Sequence, residues 1–257
     1  MSPVDALLLV TAGLAAGVMN AVVGAGTLIT FPTLLLLGYP PVLANVSNTV
    51  GLVPGAVTAA IGYRATLRGR GTVVRRLLVA TVSGGLVGGL LLVRLPEDAF
   101  NVVVPWLLLV AAVLAALQPR IAAQVASRRA GRGDVPVGAG HIGVAMFVGV
   151  FATGVYGGYF GAAQGVLLLV ILGFALGGPL NDLNGVKNIL GGTANLVSAL
   201  LFITISEVDW TVAGLVAAGA TVGGGLGGRY GRRLPSSVLR VLLVAIALVA
   251  AVVRFVG

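Results

Sequence analysis

The sequence predicts an all-α polytopic membrane protein made of two homologous halves. Three observations carry this expectation: the composition, a duplicated glycine-rich pattern and the lengths of the apolar runs. Hydrophobic residues make up 58% of the 257 residues and charged residues only 9%. The mean hydropathy is +1.09. A water-soluble domain carries roughly a quarter charged residues, so most of this surface has to face lipid. No polar stretch is long enough to fold as a separate soluble domain.

The duplication relates residues 17–55 to residues 154–195. Gly17 and Gly24 recur as Gly154 and Gly161, and Val46-Ser47-Asn48 with Gly51 recurs as Val186-Lys187-Asn188 with Gly191. In both copies a Gly-rich break leads into a short apolar run, a polar turn and a long apolar helix. Apolar chains duplicated in this way are usually transporters whose site lies where the halves meet. The first membrane repeat is expected at 1–118 and the second at 142–257, joined by a basic linker at 119–141.

A helix needs about 20 apolar residues to cross the bilayer core. Eight stretches meet that requirement: 4–23, 46–63, 75–93, 102–117, 142–159, 186–205, 210–228 and 238–256. Two further runs, 28–37 and 166–176, are too short for ordinary spans. Each follows the Gly-rich break and ends at glycine and proline, at Gly38 and Pro40 in one copy and at Gly178 and Pro179 in the other. The expectation is eight full transmembrane helices plus two short broken helices. The pairs Gly84-Gly85, Gly88-Gly89, Gly223-Gly224 and Gly227-Gly228 recur at small-xxx-small spacing, which lets helices pack closely.

Charge orients the spans. Arg64, Arg68, Arg70, Arg75 and Arg76 form one cluster, Arg120, Arg128, Arg129 and Arg132 a second, and Arg229, Arg232, Arg233 and Arg240 a third. The positive-inside rule makes all three loops cytoplasmic. The acidic loops at Glu97-Asp98 and at Glu207 and Asp209 then fall outside. If each short run crosses, each half has five segments, the halves are inverted repeats and Asp5 lies outside. If the short runs are re-entrant, the halves lie parallel and the N-terminus is inside. The inverted arrangement is preferred, because broken helices in transporters usually accompany inverted repeats. The first residues lack the basic region of a secretory signal, so the first span is expected to be retained. Topology also explains the +9 formal charge, with no nucleic-acid partner required.

Several chemistries are excluded or disfavoured. The chain has no cysteine, which removes disulfides, iron–sulfur clusters, zinc thiolates and thiol relays. It contains no Gly-x-Ser-x-Gly elbow, His-Glu-x-x-His pair, carboxylate dyad or phosphate-binding Gly-Lys-Ser/Thr loop. The single histidine, His141, is expected at the membrane interface, bonded to loop backbone. No enzyme activity and no metal site are expected.

The polar residues within the apolar segments point elsewhere. A polar side chain facing lipid has no water to replace its hydrogen bonds, so it turns inward. Asparagine and serine also serve as interhelical glue, worth roughly 1 kcal/mol each. Two polar clusters at equivalent positions, each beside a helix break, favour a binding site. The candidate substrate-binding residues are Asn20, Gly24, Gly26, Thr27, Asn45, Ser47 and Asn48 in the first copy. In the second they are Gly161, Gln164, Gly165, Asn184, Lys187 and Asn188. Helices expected to begin within the membrane near Ala44-Asn45 and Asn184-Gly185 would aim N–H groups and positive dipole ends at this centre. Glycines at the breaks let backbone approach a ligand closely. Lys187 is the only lysine. It either snorkels or pairs with Asp182, or it faces the cavity and makes the site select anions.

The order of these motifs resembles a known family. Gly17-Val-Met-Asn20-Ala-Val-Val-Gly24-Ala-Gly26, then Leu28 to Pro32 and Ala44 to Asn48, is similar to the N-terminal signature of the TauE/SafE sulfite exporters. Residues 154–165 and 184–195 resemble that family's second copy. The resemblance implies a multi-pass transporter of the bacterial inner (plasma) membrane, with no bound cofactor. Its substrates would be small sulfur-containing anions such as sulfite or organosulfonates, and the function expected of the chain is their secondary export by alternating access at the repeat interface. An anion channel, or a carrier for another small organic anion such as a carboxylate, is the alternative. The sequence departs from the pattern at Thr27, Gln164 and Lys187, where the family has small residues.

Overall fold

A computed structural model describes residues 1–67, 69–130, 143–176 and 180–230. The expected span 238–256 lies outside the described residues, as do Arg68, Arg132, Arg232, Arg233, Arg240 and His141. The described residues form helices and turns only. The helices are α1 (Pro3–Val22), α2 (Thr27–Leu36), α3 (Pro41–Gly62), α4 (Gly71–Arg94), α5 (Glu97–Ala130), α6 (Val144–Tyr159), α7 (Gln164–Ala175), α8 (Leu180–Ile205) and α9 (Trp210–Tyr230). A short 3-10 turn, Arg64–Leu67, joins α3 to α4.

Among the described residues, six helices are long and apolar enough to cross a membrane: α1, α3, α4, α9, α5 over Glu97–Ile121 and α8 over Asp182–Ile205. The stretch expected as a full span at 142–159 forms α6, which has only 16 residues. It rises about 24 Å, short of the roughly 30 Å hydrocarbon core. The two short runs form α2 and α7, of 10 and 12 residues. In the expected linker, α5 continues through Pro119 to Ala130.

Local sequence sets the helix ends. Ser2 caps α1: its Oγ accepts from the Asp5 N–H at 3.1 Å, and Asp5 Oδ2 accepts from the Ser2 N–H at 2.7 Å. Pro41 opens α3, where a missing N–H costs nothing. This corrects one expectation. Asn45 and Asn184 lie within α3 and α8, not at helix N-termini inside the membrane. The helices that begin at the breaks are α2 and α7.

The breaks repeat each other in detail. Gly24 has φ +83° and Gly161 φ +77°, a conformation that costs glycine nothing. The Gly24 N–H donates to the Met19 carbonyl at 2.9 Å, and the Gly161 N–H to the Tyr156 carbonyl at 3.0 Å. Both bonds reach five residues back from equivalent glycines, so the sequence repeat is also a backbone repeat.

The halves exchange partners. The fourth helix of each copy packs chiefly on the first and third helices of the other: α9 on α1 and α3, α4 on α6 and α8. Glycines make these approaches possible. A Cβ on Gly17 would meet the Gly224 nitrogen at 2.7 Å, and one on Gly62 the Gly228 backbone at 2.7 Å. Gly84 and Gly88 lie against Phe151 and Val155 in the same way. Residue numbers rise together along α1 and α9, along α3 and α9, and along α4 and α6. α3 and α8 run oppositely, with Ala56 of α3 against Gly192 and Thr66, in the turn that follows α3, against Gly185.

Candidate functional site

The two breaks meet. The Gly165 N–H donates to the Gly24 carbonyl at 3.0 Å. A Cβ on either glycine would run into the backbone of the other, so the approach demands glycine on both sides. Beside this contact lies a cavity lined by Asn20, Gly24, Ala56, Gly161, Gln164, Gly165, Lys187, Asn188, Gly191, Gly192 and Asn195. Its volume is about 20 Å³. A water needs roughly 10–15 Å³, so the space has room for about one water.

Lys187 is 1% exposed. Its Nζ donates to the Ala21 carbonyl at 3.2 Å, and Asn188 Nδ2 donates to the same oxygen at 3.0 Å. Ala21 lies in the last turn of α1, where carbonyls have no partner along the helix and carry the negative end of the dipole. The lysine nitrogen and the amide are both donors suited to that oxygen. Lys187 does not pair with Asp182, whose Oδ2 accepts from Arg70 Nη2 at 2.5 Å. The other copy caps in return: Asn45 Nδ2 of α3 donates to the Tyr159 carbonyl at the end of α6, at 3.0 Å. Each long helix thus caps the broken helix of the other half.

The amides around the cavity come from different elements. Gln164 Nε2 donates to the Thr153 carbonyl at 3.3 Å. Its side chain fills the space that a Cβ on Gly157 would need. In the first copy the equivalent positions are Thr27 and Asn20, so there the amide stands on α1 and in the second it stands on α7. Among the described residues, Asn20 and Asn195 make no side-chain hydrogen bond to protein.

Seven of the thirteen expected residues line this cavity: Asn20, Gly24, Gly161, Gln164, Gly165, Lys187 and Asn188. The other six do not. Gly26 precedes α2, packed near Asn20 Cβ, and Thr27 is its buried first residue. Asn45 caps α6, and Asn48 Oδ1 accepts from the Thr30 hydroxyl. Ser47 Oγ accepts from the Asp209 N–H at 2.9 Å. Asn184 lies a turn before Lys187, its Oδ1 buried without a hydrogen-bond partner among the described residues. The first copy's Asn45–Asn48 segment is therefore spent on helix contacts, while its equivalent in α8 opens onto the cavity.

Sequence reasoning missed Ala56, Gly191, Gly192 and Asn195 as lining residues. The signal was present. Asn188, Gly191, Gly192 and Asn195 stand at i, i+3, i+4 and i+7, a single face of α8. Ala56 of α3 faces that stripe, with its Cβ 3.2 Å from where a Cβ on Gly192 would stand. Phe31, Phe100, Tyr159 and Phe160 form a separate cluster of edge-to-face rings, with Phe31 and Phe160 centroids 5.2 Å apart.

Apolar helices long enough to span, two broken helices touching at their breaks and a polar cavity between them define a membrane transport protein. The chain belongs to the family described as Sulfite exporter TauE/SafE, which matches it over residues 9–254. It is similar to a "Probable membrane transporter protein" of Haemophilus influenzae, 26% identical over 235 residues, covering 90% of this chain and 87% of the relative. A Sinorhizobium "Probable membrane transporter protein ORF9" is 27% identical over 252 residues, covering 95% and 90%. The Escherichia coli "Probable membrane transporter protein YfcA" is 24% identical over 244 residues, covering 91% and 83%. No solved structure matches the chain.

Proposed function

We propose that this protein is a secondary transporter of small sulfur-containing anions, such as sulfite or organosulfonates, and that it exports them by alternating access across the inner (plasma) membrane. The observation that carries the reading is Lys187: a lysine buried where the two breaks meet, bonded to a carbonyl and to no carboxylate. A fixed cation beside glycine backbone and four amides suits an oxyanion. The family description supplies the sulfur chemistry. The protein acts on its substrate by moving it, with no covalent step.

In this reading the halves are inverted repeats. Support comes from the opposed course of α3 and α8 and from the reciprocal packing of α4 and α9. The inverted order also places Arg64, Arg75, Arg76 and Arg229 on one side, the cytoplasm, and Glu97, Glu207 and Asp209 on the other. A carrier is favoured over a channel because the cavity has room for about one water, so an anion passes only if the helices rearrange.

The test is uptake of labelled sulfite and methanesulfonate into proteoliposomes. Saturable counterflow is expected for the intact protein, with loss of transport in Lys187→Gln while the purified protein keeps its helical content. Non-saturating flux would favour the channel. Transport of carboxylates alone would replace the substrate class.

A further inference from the structure

We propose that the site accepts one negative charge and no more: a singly charged oxyanion headgroup such as a monosulfonate or hydrogen sulfite, in preference to any dianion. This rests on the anion-transport reading above and narrows it. Among the described residues lining the cavity, Lys187 is the only ionisable one. Asn20, Gln164, Asn188 and Asn195 are neutral, and the rest are glycine and alanine. Arg70, which stands just before α4, is held by Asp182 of α8.

Hydrogen-bonding capacity exceeds charge capacity. The ammonium has three N–H donors and gives one to Ala21. Asn188 gives Ala21 one of its two amide hydrogens. Asn20 and Asn195 have no protein partner among the described residues. Several oxygens of one headgroup thus find donors, while a single positive charge faces them. A second negative charge would enter a low-dielectric site with nothing to neutralise it, and that desolvation is not recovered by amide dipoles. The Ala21 carbonyl occupies donors that the anion would take, so binding exchanges one acceptor for another.

The experiment measures thermal stabilisation of the purified protein by methanesulfonate, ethane-1,2-disulfonate, sulfate and the neutral dimethyl sulfone, at constant ionic strength and pH 7. Methanesulfonate is expected to bind, and the two dianions at least about 100-fold more weakly. Asn195→Lys adds a second cation to the same wall and is expected to close that gap. Equal binding of sulfate or the disulfonate to the unaltered protein overturns the inference while leaving an anion transporter. Binding of dimethyl sulfone as tight as methanesulfonate overturns the role of charge altogether. If no anion binds, the transport reading itself falls. The comparison of ligands on the unaltered chain stands even if Asn195→Lys fails to fold.

Discussion

Arg70 and Asp182, 112 positions apart, form a 2.5 Å ion pair that ties the start of α4 to the start of α8. A second tie runs from the other copy's loop back to α3. The loop after α3 holds α8 through Arg70, and the loop after α8 holds α3 through the Asp209 N–H and Ser47 Oγ at 2.9 Å. Arg70 and Asp209 each stand immediately before the fourth helix of their copy. The ties differ in position and in chemistry: Ser47 corresponds to Lys187 rather than to Asp182, and one tie is an ion pair while the other is a backbone hydrogen bond.

That difference predicts unequal costs. The Arg70 side chain is 10% exposed and Asp182 23%, so removing the acid strands the more buried charge. Asp182→Ala is expected to destabilise by about 1.5–3 kcal/mol, the range for a hydrogen bond to a charged group, and Arg70→Ala by less. The double variant should cost less than the sum of the two. Reversible unfolding in detergent, run as a double-mutant cycle, measures the coupling. Strict additivity would show that the pair contributes nothing.

Gly157 and Gln164 predict an exchange between copies. A Cβ on Gly157 would overlap the Gln164 amide. Gly157→Asn alone is expected to destabilise by about 1–3 kcal/mol through overpacking. Combined with Gln164→Thr it reproduces the first copy's arrangement of Asn20 and Thr27, and stability should return to within about 1 kcal/mol. Thermal unfolding of the two single variants and the double variant decides this. A double variant no better than Gly157→Asn would mean the two positions do not compensate.

Glycines that share a helix differ in what surrounds them. A Cβ on Gly223 would collide with the Leu14 carbonyl, whereas nothing lies within 4 Å of one on Gly214 in the same helix. Gly223→Ala should push α9 from α1 and cost about 1–3 kcal/mol. Gly214→Ala should be neutral or stabilise by up to about 1 kcal/mol, because alanine loses less backbone entropy in a helix. Side-by-side melting of the two purified variants tests the contrast.

Much of this was legible in the chain because it depends on local pattern. Composition fixes the membrane setting, and the recurrence of Gly24 as Gly161 anticipates two breaks with the same backbone. What the sequence could not show is which side of each long helix meets the other half. Asn45 and Asn48 look like Asn188, yet the first two bond Tyr159 and Thr30 while Asn188 reaches the cavity. The choice follows from tertiary packing: Gly51 and Gly55 of α3 are pressed against Val216 and Ala220, whereas the equivalent stripe of α8 at Gly191 and Asn195 is left open. Helix starts were misplaced for a simpler reason. Proline at N1 favours an earlier start for α3, and the polar residues drew attention inward.

The absence of cysteine makes the orientation directly testable. Single cysteines at Val4, Arg76 and Glu207, all exposed, mark three points on the chain. In the inverted arrangement Val4→Cys and Glu207→Cys face outward and Arg76→Cys faces the cytoplasm. A membrane-impermeant maleimide should therefore label the first two in intact cells and the third only after permeabilisation. Parallel halves would place Val4 and Glu207 inside, since α1 would then begin in the cytoplasm and α8 would end there. Val4 lies in the first turn of α1 but outside the Ser2–Asp5 cap, so its replacement leaves the helix start intact. Protection of both Val4→Cys and Glu207→Cys in intact cells, with labelling restored by permeabilisation, would therefore overturn the inverted order.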